Sequence, residues 1–107
     1  MMRHFSREAD TIELLIEAAW KGQLRQPERG AAAALALQER ATKAGEPLLA
    51  AKARLCHKAI SCRLGQCAED RTDFERLGHL FAKTGDRVFQ LRAKYAGLLG
   101  KIGRAHV

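Results

Sequence analysis

Aromatic residues are scarce in this chain: one tryptophan, one tyrosine and four phenylalanines make up 6% of 107 residues. A core built from it must therefore be aliphatic. Only two prolines are present, so long stretches escape the lost donor and the steric clash by which proline breaks helices. No uncharged apolar run approaches the roughly 20 residues that a bilayer-spanning helix needs; the longest runs from Ala31 to Leu37. Near the amino end, Asp10, Glu13 and Glu17 interrupt the apolar residues Ile12, Leu14, Leu15 and Ile16, so no secretory signal is expected. Three cysteines, Cys56, Cys62 and Cys67, are too few for a disulfide scaffold. Their odd number points to free thiols in a reducing, cytoplasmic setting.

What remains is 47% hydrophobic and 29% charged, with a formal net charge of +7. That balance supports one folded domain over residues 1–107 rather than disorder. Glycine supplies the punctuation, because it readily takes the left-handed conformation that ends helices. Gly22, Gly45, Gly65, Gly85 and Gly103 recur at nearly even intervals. The intervals are rich in Ala, Leu, Glu, Lys, Arg and Gln and poor in β-branched residues, which reads as helix.

Five helices are predicted, and the fold class is all-α. The first runs from Ser6, an N-cap, to Lys21, with Ile12, Leu15, Ile16, Ala19 and Trp20 on its apolar face. The second spans 27–44, opened by Pro27; the third spans 47–64, the fourth 67–84 and the fifth 86–102. On the fifth, Val88, Leu91, Tyr95, Leu98 and Ile102 step by three and four, predicting a packing stripe. Short connections make neighbouring helices antiparallel, giving stacked hairpins.

Sliding the chain until Gly45 falls on Gly85 aligns Ala44-Gly45-Glu46 with Thr84-Gly85-Asp86, Leu48-Leu49 with Val88-Phe89, and Lys52-Ala53-Arg54 with Arg92-Ala93-Lys94. The pattern suggests a degenerate two-helix repeat. On the phrases Gln26-Pro27-Glu28-Arg29-Gly30-Ala31, Ala41-Thr42-Lys43-Ala44-Gly45-Glu46, Phe81-Ala82-Lys83-Thr84-Gly85-Asp86 and Gln90-Leu91-Arg92-Ala93, the chain resembles the tetratricopeptide-repeat superfamily. The likeness is to its long-period form, found in regulatory segments of bacterial signalling proteins and transcriptional activators. It covers about two and a half repeats, from Trp20 to Ala105. It implies a helical superhelix with a concave face, lined by the first helix of each hairpin, that binds a partner protein or peptide. The fifth helix would be the cap.

The charge is unevenly placed. Residues 1–45 carry a net +1, residues 46–67 +3, residues 68–85 −1 and residues 86–107 +4. The excess belongs to the third and fifth helices, where Lys52 and Arg54 align with Arg92 and Lys94. Two basic stripes side by side would form a positive groove for an acidic protein or peptide segment. Tyr95 and His57 are the candidates for stacking or hydrogen bonding there.

The expected function is a non-catalytic interaction module that docks an acidic segment of a bacterial regulatory or secretion partner. Two other readings are a small basic nucleic-acid binder and a homodimeric helical inhibitor of a transcription factor. The first lacks helix-turn-helix spacing or a row of exposed aromatics beside its charge.

Motifs for enzymatic chemistry are missing. A nucleophile–base pair, paired catalytic carboxylates, a phosphate-cradling glycine loop and a cofactor lysine are all absent from the sequence, so neither an enzyme nor a cofactor is expected. Cys56, His57, Cys62 and Cys67 carry zinc-ligand chemistry at the wrong spacing, Cys56 and Cys62 being six apart on one helix. The cysteines read as small buried hydrophobes, and His57 as a helix surface or interface residue. Glu69, Asp70, Asp73 and Glu75 cluster where the fourth helix begins and would complement its dipole.

Overall fold

The computed structural model describes the backbone of residues 3–65 and 71–105 and the side chains of residues 7–65 and 72–98. Every element in these segments is helical. Helix α1 spans Arg3–Lys21 and ends in a 3₁₀ turn, Gly22–Leu24; α2 spans Pro27–Lys43, α3 Pro47–Arg63, α4 Arg71–Lys83 and α5 Arg87–Ala105. Pro27 and Pro47 open α2 and α3 as first-turn residues, where the missing N–H would be unpaired in any case. Ser6 lies inside α1 rather than capping it, and α5 runs through Gly103. The predicted start of the fourth helix, residues 67–70, lies outside the described residues.

Gly45 and Gly85 reverse the chain between α2 and α3 and between α4 and α5, with φ of +71° and +79°. The two turns make matching hydrogen bonds. The Glu46 N–H donates to the Ala41 carbonyl and the Asp86 N–H to the Phe81 carbonyl, each at 2.9 Å. The Ala44 and Thr84 amides likewise reach Arg40 and Leu80 at 3.0 Å. Both are helix-ending patterns that close only when the residue after the helix is left-handed. Their starts differ: Asp86 caps α5 by accepting from the Phe89 N–H at 3.0 Å, whereas α3 has Pro47 and no side-chain cap.

Two hairpins result, α2 with α3 and α4 with α5. Helix α3 also touches α1 on one side and α5 on the other. Being covered from several directions, it has no broad polar face: Leu49, Ala53, Leu55, Cys56, Ala59 and Ile60 are all buried, and so is Lys52. This is how a helix at the centre of a domain reads. Alanines at α2, α3 and α5 contacts (Ala34, Ala41, Ala53, Ala59, Ala96) are almost fully buried and permit close helix approach.

Two expectations about packing fail. The core is not simply aliphatic, since Phe74, Phe81 and Phe89 are buried at the α4–α5 end, with the Phe81 and Phe89 rings 5.3 Å apart. The apolar stripe expected to pack on α5 faces outward instead. Val88, Leu91, Tyr95 and Leu98 are exposed, while Phe89, Ala93 and Ala96 are buried; Ile102 lies outside the described side chains. Small residues win the inward position because they let α5 approach α3 and α4 closely. On α1, Ile12, Ile16 and Ala19 face inward as expected and Trp20 is half-buried, but Leu15 is exposed.

Candidate functional site

The six residues expected to form one basic surface divide among five environments. Lys52 is buried between α1 and α5, its Nζ 2.8 Å from Glu13 Oε2 and 3.0 Å from Asp86 Oδ2, and 5.0 Å from the centre of the Phe89 ring. Burial alone would lower its pKa, but the hydrogen bonds to Glu13 and Asp86 outweigh burial and leave it raised. Arg92 forks across both carboxylate oxygens of Glu17, with Nη2 2.9 Å from Oε1. Its guanidinium lies 4.8 Å from both the Trp20 and the Phe89 ring centres. The hydrogen bond from Arg92 holds Glu17 below the usual carboxylate range.

Arg54 points the other way. Arg54 and Lys58 clasp Asp73 of α4 at 2.9 and 2.8 Å. For Asp73, desolvation would raise the pKa, and these two cations reverse that and lower it. His57 lies 3.0 Å through Nδ1 from the Ala31 carbonyl of α2; a carbonyl can only accept, so this ring nitrogen carries the proton. Lys94 is exposed on a groove between α4 and α5. The expected two-stripe positive groove is therefore not formed, because Lys52, Arg54 and Arg92 are neutralised by acids of neighbouring helices.

Tyr95 stands where α1, α3 and α5 converge. Its ring meets Trp20 edge-on, with centroids 6.4 Å apart, and its hydroxyl accepts from Arg63 Nη2. Arg63 Nε donates to Gln23 Oε1 at 2.6 Å, and the buried Gln23 donates through Nε2 to the Trp20 carbonyl at 2.9 Å. This relay ties the 3₁₀ turn to the end of α3 and the middle of α5. Beside it lies a crevice of about 500 Å³, bordered by Trp20, Lys21, Leu24, Arg63, Leu91 and Tyr95. Leu24 and Leu91 are 75% and 66% exposed, although apolar residues at a helical seam are ordinarily covered.

Sequence reasoning identified Tyr95 but not Lys21, Leu24, Arg63 or Leu91 as its neighbours. The one usable signal was that the chain's single tryptophan and single tyrosine each sit near basic residues.

The cysteines also depart from expectation in part. Cys62 is disulfide-bonded rather than free, with Cys67 outside the described residues. Cys56 is a free, fully buried thiol within 3.9 Å of the Ile16 carbonyl, and burial pushes its pKa up to about 12. It is a packing group and not a nucleophile at neutral pH. Among the described residues, no group of three or more His, Cys, Asp or Glu side chains is placed to hold a metal ion, and no helix is long and apolar enough to cross a membrane.

Comparison with known protein families, curated proteins and solved structures finds no match for the chain.

Proposed function

We propose that the chain is a non-catalytic helical interaction module, of the tetratricopeptide kind, that binds an acidic amphipathic segment of a bacterial regulatory or secretion protein in the cytoplasm. The bacterial part of this reading rests on the resemblance in sequence, and the cytoplasmic part on the low, odd cysteine count, against which the bonded Cys62 stands. The repeat reading draws support from the equivalent hydrogen bonds at the Gly45 and Gly85 turns.

The observation that carries the binding reading is the α1–α3–α5 crevice. Exposed Leu24 and Leu91 flank Trp20 and Tyr95, while Lys21 and Arg63 stand at its border. Aromatic rings with a polar tip, set among apolar side chains and cations, suit a partner helix that presents leucines on one side and carboxylates at the edge. Arg92, which also borders the crevice, is paired with Glu17, and the buried Lys52 with Glu13 and Asp86, contacts that hold these helices together.

Trp20 is the only tryptophan, so its emission reports on the crevice directly. Titration with a synthetic amphipathic peptide of glutamate and leucine should give a saturable change in Trp20 fluorescence. Lys21→Glu combined with Leu24→Glu should abolish the change while helical circular dichroism stays the same. The proposal is overturned if the peptide leaves Trp20 unaffected, or if a duplex or single-stranded oligonucleotide binds with sequence preference at physiological salt.

A further inference from the structure

We propose that the groove between α4 and α5 is a second docking site, for a partner helix that carries a carboxylate one turn ahead of two large apolar residues. It lies on the side of α5 that bears Lys94 and is separate from the crevice at Tyr95. The groove has a volume of about 560 Å³, and Phe74, Gly78, Gln90, Lys94, Gly97 and Leu98 border it.

The chemistry of its occupant is given by the other hairpin. In the register that carries the Gly45 turn onto the Gly85 turn, Gly78, Gln90 and Lys94 stand where Gln38, Ala50 and Arg54 stand on α2–α3. Those three residues border a cleft whose opposite wall is Asp73, Leu77 and Leu80 of α4. Helix α4 is thus seated against this part of α2–α3. It meets the cleft with Leu77 and Leu80, 6% and 37% exposed, and its first turn is held where Arg54 and Lys58 meet Asp73. Among the described residues, none covers the corresponding surface on α4–α5.

The α5 side of the open groove, which carries Lys94, suits a ligand of that type, while Glu75 and His79 stand on its α4 side. Lys94 is exposed at the position of Arg54, ready to meet a carboxylate, while Leu98 replaces Lys58 and makes the end of the groove more apolar. Gly97 stands at the position of His57, and a Cβ built on it meets no atom within 4 Å. The pocket beside Gly97 therefore admits a larger apolar side chain than the α2–α3 cleft does. The spacing required of the ligand is that of Asp73, Leu77 and Leu80, an acid followed by large apolar residues at four and seven positions, which share one face of a helix.

The test uses the full chain labelled with ¹⁵N and, as probe, a helix-stabilised peptide carrying residues 72–84 of this sequence. Amide shifts should concentrate at Gly78, Gln90, Lys94 and Gly97. Lys94→Glu should weaken binding by roughly tenfold or more, and the same peptide with Asp73→Lys should recover affinity for the Lys94→Glu protein. Gly97→Leu should block binding without loss of helical content, since its side chain enters open space. The proposal is overturned if shifts fall instead on Gln38, Ala50 and Arg54, which would mean that the peptide displaces α4. Binding that ignores Lys94→Glu overturns it, and so do concentration-dependent shifts of the groove amides without peptide, which would give the site to a second copy of the chain. None of these outcomes bears on the Trp20 crevice, which is read by its own variants.

Discussion

Arg92 of α5 grips Glu17 of α1 across 75 residues of sequence. The contact is bidentate, and both side chains are largely shielded, at 16% and 31% exposure. Paired in this geometry, a guanidinium and a carboxylate form one of the stronger polar contacts available to a small domain. A double-mutant cycle with Glu17→Gln and Arg92→Met, followed by urea unfolding, should show a coupling of about 1–2 kcal/mol. Arg92→Lys should not recover it, because an ammonium can neither fork across Glu17 nor stack flat on Trp20 and Phe89. Additive single effects would remove the pair from the list of stabilising contacts.

Lys52 separates charge from packing. Its stem is buried and its ammonium sits between Glu13 and Asp86. Lys52→Ala leaves a void beside Phe89 and should cost about 2–3 kcal/mol. Lys52→Met keeps the stem, and Glu13, which is half exposed, can rehydrate, so the cost should stay below about 1.5 kcal/mol. Equal losses in the two variants, measured by thermal unfolding, would show that the ion pairs outweigh the packing.

The acid and alkaline limits of stability have opposite signs. Glu17, Asp73 and Asp86 are lowered from ordinary values of 4.5, 3.8 and 3.8. The stability they contribute is therefore present above those values and is lost as pH falls through the lower folded ones. Lys52 is raised from 10.5, so its contribution is complete below that pH and disappears as pH rises through the folded value. Unfolding temperature should thus form a plateau between about pH 5 and pH 10. Glu17→Gln should make the acid fall shallower, and a fall as steep as that of the unaltered chain would assign it to other carboxylates.

The glycines should divide by conformation and by space. Gly97→Ala, in a helix and facing open space, should stabilise by about 0.5–1 kcal/mol. Gly85→Ala forces a side chain into φ +79° and should cost about 1–2 kcal/mol. At Gly30 a Cβ would stand 3.2 Å from Ile60 Cδ1 and 3.4 Å from the Ala19 carbonyl oxygen, so the helix-propensity gain should be cancelled or reversed. A stabilised Gly30→Ala protein would show that Ile60 gives way.

Helix positions were the most legible part of the sequence, because Pro27, Pro47, Gly45 and Gly85 act through local backbone rules that need no knowledge of the rest of the fold. Facing was less legible. On α5 two candidate stripes compete, and the one with more apolar surface, Val88, Leu91, Tyr95 and Leu98, is outside. What decides is the distance at which α3 and α4 lie, which favours Ala93 and Ala96 and is fixed only in three dimensions. The candidate site was read less well for a related reason. Lys52 and Arg92 share a spacing with Arg54 and Lys94, but their counter-charges Glu13, Glu17 and Asp86 come from distant segments, and net charge by segment does not register such pairings. Tyr95 is legible as a ring with a hydroxyl beside Arg92 and Lys94 on one helix; its neighbour Leu24 carries no mark to distinguish it.

The clasp between α1 and α5 also bears on how the chain folds. In an open row of helices, each touching only the next, order can spread from any point and the ends can fray alone. Here Glu17 and Arg92 join the first helix to the last, and Lys52 bridges both through Glu13 and Asp86. These contacts close large loops, whose entropy must be lost before the contacts form. Folding should therefore be slower than local helix content suggests, and α1 and α5 should exchange their amide hydrogens in concert instead of independently from the two ends.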